Sequence, residues 1–486
     1  MKDNLQKTTQ ENVSNQSTLY WHDYETFGLN AGADRPAQFA AIRTDLDFNI
    51  ISEPNEWFCR PPDDYLPNPE ACLITGITPQ QALQQGLFEN EFIKRINTQF
   101  SQADTCVLGY NNIRFDDEVT RFTLYRNFYD PYQREWQNGC SRWDIIDLVR
   151  ACYALRPEGI NWPVDENDIP SFRLELLTKA NGLAHSQAHD AMSDVYATIA
   201  MAKLIKNTHP KLYEYCFNLR KKAHVLSALK IGSYTPLVHI SGMFPAQQGC
   251  VSYVLPLAEH PLNKNAIIVV DLNKDLSALE TLSVEEIRQY LYTPTIDLPE
   301  GIDRPAIKLV HINKCPIIAP AKTLTEARAD ELGINRSQCR ASLEFLKSNT
   351  GIAQKCQMVF AEETKNVVAK SVEEMLYTGG FFSNADKTLI NQISASTWEE
   401  LADANFKFTD KRLDTLLWHY RARNGAHSLT SEEQDKWTRH RQAYLLEHSQ
   451  TYIEKLDALA LEYRSNPAKI ELLKQLHNYL QFLACL

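Results

Sequence analysis

An apolar run, Leu19-Tyr20-Trp21, reads as a buried strand, and it ends in two acids, Asp23 and Glu25, with Gly28 closing the stretch. Side chains at i and i+2 of a strand point to the same face, so these carboxylates face each other at close range. At a solvated strand end their repulsion costs little and the pair means nothing. The other solution is a divalent cation between them, since Mg²⁺ takes carboxylate oxygens and substrate phosphate. The pair needs partners elsewhere in the chain before it decides anything.

The rest of the chain sets bounds. Its 486 residues suffice for two to four domains, and 44% hydrophobic with 23% charged residues is ordinary for a soluble globular protein. A formal net charge of -11 argues against a general polyanion binder. Any nucleic-acid site must then be a local basic and aromatic channel, or must use metal ions. The 11 cysteines are odd in number and form no C-x-x-C pair, which reads as a reducing compartment with thiols used as small buried residues. Residues 1–16 are polar and read as a disordered tail without a signal region. No run of about 18 apolar residues is present, so no membrane span is expected and the cytoplasm is the expected location.

Strand-like runs at 18–22, 38–43, 48–51 and 57–59 are separated by short polar turns, which favours an antiparallel meander. Another strand follows at 105–110. Helical periodicity appears at 117–125, at 144–155 and, most clearly, at 190–206, where Met192, Val195, Ile199, Ala202 and Ile205 recur at helical spacing. This reads as one α/β domain over 17–208. Residues 209–362 bring short strands broken by Pro, Gly and Asn, a small barrel-like β domain with helical additions from 323 to 347. Residues 363–486 read as a helical domain, with Leu473, Leu476, Leu480 and Leu483 on one face of its last segment.

The partners of the first pair lie in the α/β domain. Asn112-Ile113-Arg114-Phe115-Asp116 follows the strand at 105–110, and His189-Asp190-Ala191-Met192-Ser193-Asp194 opens the long helix. Taken singly, each acid is also a favourable residue for a helix N-terminus. In this order the three motifs resemble the DEDDh class of 3′→5′ exonucleases, whose fold is ribonuclease H-like. HDYETFG, GYNNIRFDDEVTRF, SFRLELLTKANG and AHDAMSDVYATIAMAKL, with LVHISGMF and KLVHINKCPI further on, are similar to the bacterial exodeoxyribonuclease I family over nearly the whole chain.

That resemblance implies an α/β ribonuclease H-like exonuclease domain, then a small SH3-like β-barrel domain, then an all-helical domain, the last two arching over the first. It implies 3′→5′ digestion of single-stranded DNA to 5′-mononucleotides in repair and recombination, with two Mg²⁺ per site and Mn²⁺ able to substitute. Asp23 would bridge both ions, Glu25 and Asp194 would bind mainly one, and Asp116 the other. Two such ions about 4 Å apart activate the attacking and leaving oxygens of a phosphodiester. His189 would be the general base, its ordinary pKa near 6.5 suiting that role. It also implies a monomer that binds the acidic, hydrophobic-ended tail of single-stranded DNA-binding protein, with no membrane partner.

Arg173, just ahead of the last motif, is a candidate phosphate clamp. In 121–136 basic and aromatic residues alternate, which suits single-strand binding; Arg121, Tyr132 and Trp136 are the candidates, with Arg150 as a further cation. Glu25 would also touch substrate, and Leu73, Thr26 and Phe27 are candidates to wedge or stack at the 3′ end. The basic clusters at 220–222 and 411–412, with Arg421 and Arg423, are candidate lining for the strand's passage. The rival readings are an RNA-trimming exonuclease of the same catalytic class and a non-catalytic single-strand-binding scaffold.

Overall fold

A computed structural model describes residues 17–184, 190–362 and 371–486. Its first sheet has five strands, β1 (Thr18–Thr26), β2 (Pro36–Thr44), β3 (Asn55–Phe58), β4 (Thr105–Gly109) and β5 (Ser141–Asp144). They lie in the order β3-β2-β1-β4-β5. β1, β2 and β3 form the antiparallel meander, whereas β4 joins β1, and β5 joins β4, in parallel. Parallel joins need crossovers, and helices Glu89–Phe100 and Asp116–Arg126 provide them. Helix Ala191–Thr208 packs across β1 and β2 through Val195, Ala202 and Ile205.

Two expectations for this domain change. Residues 48–51 form a turn rather than a strand, because Asp45 collects the amides of Asp47 and Asn49 and Phe48 adopts a positive φ of 67°. Only Ile50 bridges back to Thr44. The helix expected from 144 starts at Ile145; Asp144 ends β5 and caps that helix through the Ile146 amide.

The second sheet is wholly antiparallel, with β6 (Leu237–Ile240), β7 (Val251–Glu259), β8 (Ala266–Asp271), β9 (Ile307–His311) and β10 (Ile317–Pro320) in the order β10-β6-β7-β8-β9. Helices Glu326–Glu331, Arg336–Ser348 and Ile352–Val359 cover it. The third domain is helical, ending in the pair Ser431–Glu462 and Pro467–Cys485. The last helix buries Leu473, Leu476, Leu480 and Leu483 against Phe27, Tyr65 and Cys72 of the first domain. The apolar stripe therefore fastens the chain's end to its beginning. No helix among the described residues is long and apolar enough to cross a membrane. Ten of the eleven cysteines are buried and none is in a disulfide.

Candidate active site

The ladder between β1 and β4 ends at Trp21–Leu108, and both strands run on towards a crevice at their carboxyl ends, where open α/β sheets place their sites. Beyond that point β1 carries Asp23 and Glu25 on one face, opposite Ala40 and Gln38 of β2. β4 stops at Gly109, where a side chain would collide with the His22 carbonyl. The chain then turns through Asn111, at a φ of 63°, into the helix that starts with Asp116. Asp144 holds this turn by accepting from the Asn111 amide at 2.8 Å and the Ile113 amide at 3.2 Å. The Tyr24 amide, past the end of the parallel ladder, donates to Asp116 Oδ1 at 3.0 Å. Asp194 sits in the first turn of Ala191–Thr208, whose N-cap is Asp190.

The result is an acidic focus in which Glu25 and Asp116 are buried and Asp23 and Asp194 half-buried. One carboxylate oxygen from each of Asp23, Glu25 and Asp194 lies within 4.8 Å of the others. Burial first, and then Asp194 and Asp116, push Glu25 up to about 8. Burial, Asp116, Glu25 and Asp194 together raise Asp23 well above the carboxylate range. Burial also raises Asp116, against the pull of backbone amides. Four acids from three elements thus face one another, and a divalent cation taking hard oxygen donors would relieve the repulsion. His189 lies outside the described residues.

The remaining candidates fall in two cavities. One of about 560 Å³ is lined by Asp23 and Asp194 together with Tyr110, Phe172, Arg150 and Arg173. Arg173 is exposed and paired with Glu175, so its guanidinium can swing to a ligand. Arg150 is mostly buried, pairs with Asp147 at 2.8 Å and lies flat on Gly242 of the second domain. The other cavity, of about 1300 Å³, lies between the three domains and brings together Arg121, Tyr132 and Trp136 with Arg220, Lys221, Lys222, Lys314, Tyr377 and Phe381. Trp136 and Phe381 are 68% and 94% exposed.

Several of the expected contact residues already have partners within the protein. Arg121 is buried and committed to Glu135 at 2.8 Å and Glu118 at 2.7 Å. Arg412 and Arg421 are likewise buried and paired, with Asp410 and Glu433, and the half-buried Arg423 pairs with Asp64. Phe27 is 1% exposed inside the apolar contact with the last helix, and Leu73 packs beside it. The Thr26 hydroxyl donates to the Gly28 carbonyl. The sequence reading missed Asp144, although an acid directly ahead of an apolar helix is a capping signal, and it missed Lys314, Tyr377 and Phe381, which carry no local signal.

Two carboxylates on the central strand of a mixed sheet, converging with two at helix starts, are the acid set of a divalent-metal-dependent phosphodiesterase. Comparison with known proteins sharpens this. Residues 20–202 match the family model "Exonuclease", residues 220–362 the "Exonuclease I SH3-like domain" and residues 370–483 the "Exonuclease I C-terminal domain". The chain is 50% identical over 465 residues to exodeoxyribonuclease I of Escherichia coli, covering 96% of this chain and 98% of the relative. Three solved structures cover 96% of this chain and are themselves covered completely. They are E. coli Exonuclease I with a dA16 oligonucleotide (50% identity, TM-score 0.94), the zinc ion bound form of an E. coli ExoI-ssDNA complex (50%, 0.93), and SSB/Exonuclease I in complex with inhibitor CFAM (48%, 0.90). The chain belongs to the exodeoxyribonuclease I family. It is accordingly a hydrolase acting on DNA, with an exonuclease domain, an SH3-like domain and a helical C-terminal domain in that order.

Proposed function

We propose that the chain digests single-stranded DNA from its 3′ end by hydrolysis, releasing 5′-mononucleotides. The observation that carries this is the convergence of Asp23, Glu25 and Asp194 oxygens within 4.8 Å, with Asp116 beside them, where Asp23 and Asp194 line a cavity that also holds Arg173. Asp23, Glu25, Asp116 and Asp194 are the proposed ligands for Mg²⁺, or Mn²⁺ in its place, two ions per site. When bound, such ions offset the charge that builds on the attacking and leaving oxygens of a phosphodiester. The raised carboxyl groups of Asp23, Glu25 and Asp116 fit this reading, because burial and neighbouring acids disfavour their charge until a cation binds.

The chain's own groups do the rest. His189, five residues ahead of Asp194, takes the proton of the attacking water as general base. Arg173 forks onto a non-bridging phosphate oxygen, and Glu25 borders the terminal nucleotide. The 1300 Å³ cavity leads the strand inward, with Tyr132, Trp136 and Phe381 offering faces for bases and Arg220, Lys221 and Lys222 meeting the backbone. A separate cavity of about 430 Å³ sets Arg156 and Lys211 beside Leu212 and Tyr215. That pairing of cation and apolar wall suits the acidic, hydrophobic-ended tail of single-stranded DNA-binding protein. A monomer acting in the cytoplasm in DNA repair, with domains at 17–208, 209–362 and 363–486, completes the proposal.

The test is a 5′-labelled single-stranded DNA oligomer, a matching RNA and a blunt duplex, each with Mg²⁺ and with EDTA, beside an Asp194→Ala protein. DNA shortened from its 3′ end only by the wild type with metal is the expected result. Equal or faster loss of RNA would move the substrate to RNA, and intact substrates in every lane would make the chain a binding scaffold.

A further inference from the structure

Three consecutive acids open the helix Asp116–Arg126, and each points to a different part of the molecule. Asp116 faces β1 and accepts from the Tyr24 amide. Asp117 is fully buried between Arg134 at 2.8 Å and Arg142 at 2.5 Å, and Arg142 reaches on to the Asn313 carbonyl of the SH3-like domain at 2.9 Å. Glu118 accepts from the Tyr377 hydroxyl of the helical domain and from Arg121 at 2.7 Å, and Arg121 also donates to Tyr377 at 3.2 Å. Glu135 closes the circuit by taking both Arg121 and Arg142. The backbone joins in, since the Asp117 amide donates to the Asn112 carbonyl in the turn before Asp116.

Because the three acids share one helical turn, any shift of that turn displaces all three together. Arg142, Glu118, Arg121 and Tyr377 also line the large cavity between the domains. Asp117 is too deeply paired, and Glu118 too far along the turn, to serve as further ligands of the acidic focus. Their place in the structure is to fix the turn against two domains that are remote in sequence.

We propose that Asp117 and Glu118 are positioning residues that set the Asp116 carboxylate according to the seating of the SH3-like domain, through Arg142 and Asn313, and of the helical domain, through Tyr377. Divalent-ion affinity at the Asp23 focus then depends on contacts made by domains that contribute no ligand. This rests on the reading of that focus as a metal site. Outer partners that hold a ligand in place commonly change metal affinity by about 10–100-fold, so a dependence of this kind is measurable.

The experiment is a Mn²⁺ titration of DNA-free protein, free ion read by electron paramagnetic resonance, with thermal midpoints recorded in parallel. Arg142→Met is expected to weaken Mn²⁺ binding about tenfold. Tyr377→Phe, which removes one hydroxyl in another domain, is expected to weaken it about threefold, and to add no further loss in a Glu118→Gln background. Unchanged Mn²⁺ affinity in folded Tyr377→Phe protein overturns the proposal, as do additive losses in the double variant. Should Arg142→Met fail to fold, the Tyr377 and Glu118 variants decide alone. A wild type that binds no Mn²⁺ sinks the metal-site reading itself, which is a different failure from a wild type that binds it while the variants match.

Discussion

Two groups of carboxylates, buried or half-buried, sit in this molecule under opposite electrostatics. At the crevice of the first sheet, Asp23, Glu25, Asp116 and Asp194 face one another, and the carboxyl groups of Asp23, Glu25 and Asp116 are raised. Between the first and third domains, Asp64 and Glu373 are at least as deeply buried and are lowered. Burial opposes charge in both places. The difference is company. Glu373 meets Arg35 at 2.5 Å, His419 at 2.7 Å and Arg423. Asp64 takes Arg423 at 2.6 Å and His440 at 3.2 Å. One group is complete as it stands and clamps the helical domain onto the nuclease domain. The other sets acid against acid and is built to receive metal cations.

The largest stability effect should come from spoiling the complete group. Glu373→Ala leaves Arg35 and Arg423 buried without their shared acid, and is expected to cost about 3–5 kcal/mol, the range for breaking a buried pair. Urea unfolding checks this, and a loss near zero would make the clamp a bystander.

The pH dependence should separate the two groups next. Glu25 has an ordinary value of 4.5 and is raised to about 8. The folded state therefore holds a proton that the unfolded chain has released, and stability present below about 4.5 is lost as pH climbs towards 8. Asp64 and Glu373 act the other way. Their contribution is present above the ordinary carboxylate values and is lost as pH falls below them. Metal-free protein should thus weaken on both the acid and the alkaline side, and Mg²⁺ should restore only the alkaline side, because it replaces the protons of the acidic focus. Unfolding curves across pH, in EDTA and in Mg²⁺, read this directly.

How much of this was legible in the sequence follows from how local each feature is. The Asp23–Glu25 pair shows itself because strand geometry forces i and i+2 together. Asp116 and Asp194 show themselves as acids at helix starts, in an order that resembles a known family. The SH3-like sheet and the helical end were readable from short apolar runs and from the Leu473–Leu483 stripe. Pairing across long separations was not readable. Nothing near Arg423 reveals Asp64, and the alternation of Arg121 with aromatic residues looks the same whether the guanidinium meets DNA or Glu135. Residues 48–51 look like a strand until Asp45 is seen to gather their amides. β5 was hidden because four residues, two of them charged, give no period to detect.

The smallest effect is also the most direct. Asp23→Asn removes a charge from a group that has too many, without changing its shape. In metal-free protein at pH 8 the thermal midpoint of Asp23→Asn should lie above that of the wild type, and added Mg²⁺ should raise the wild type far more than the variant. A midpoint below that of the wild type, with Mg²⁺ moving both alike, would mean that the acidic focus is a finished structural network like the one around Glu373, and would contradict its assignment as the metal site.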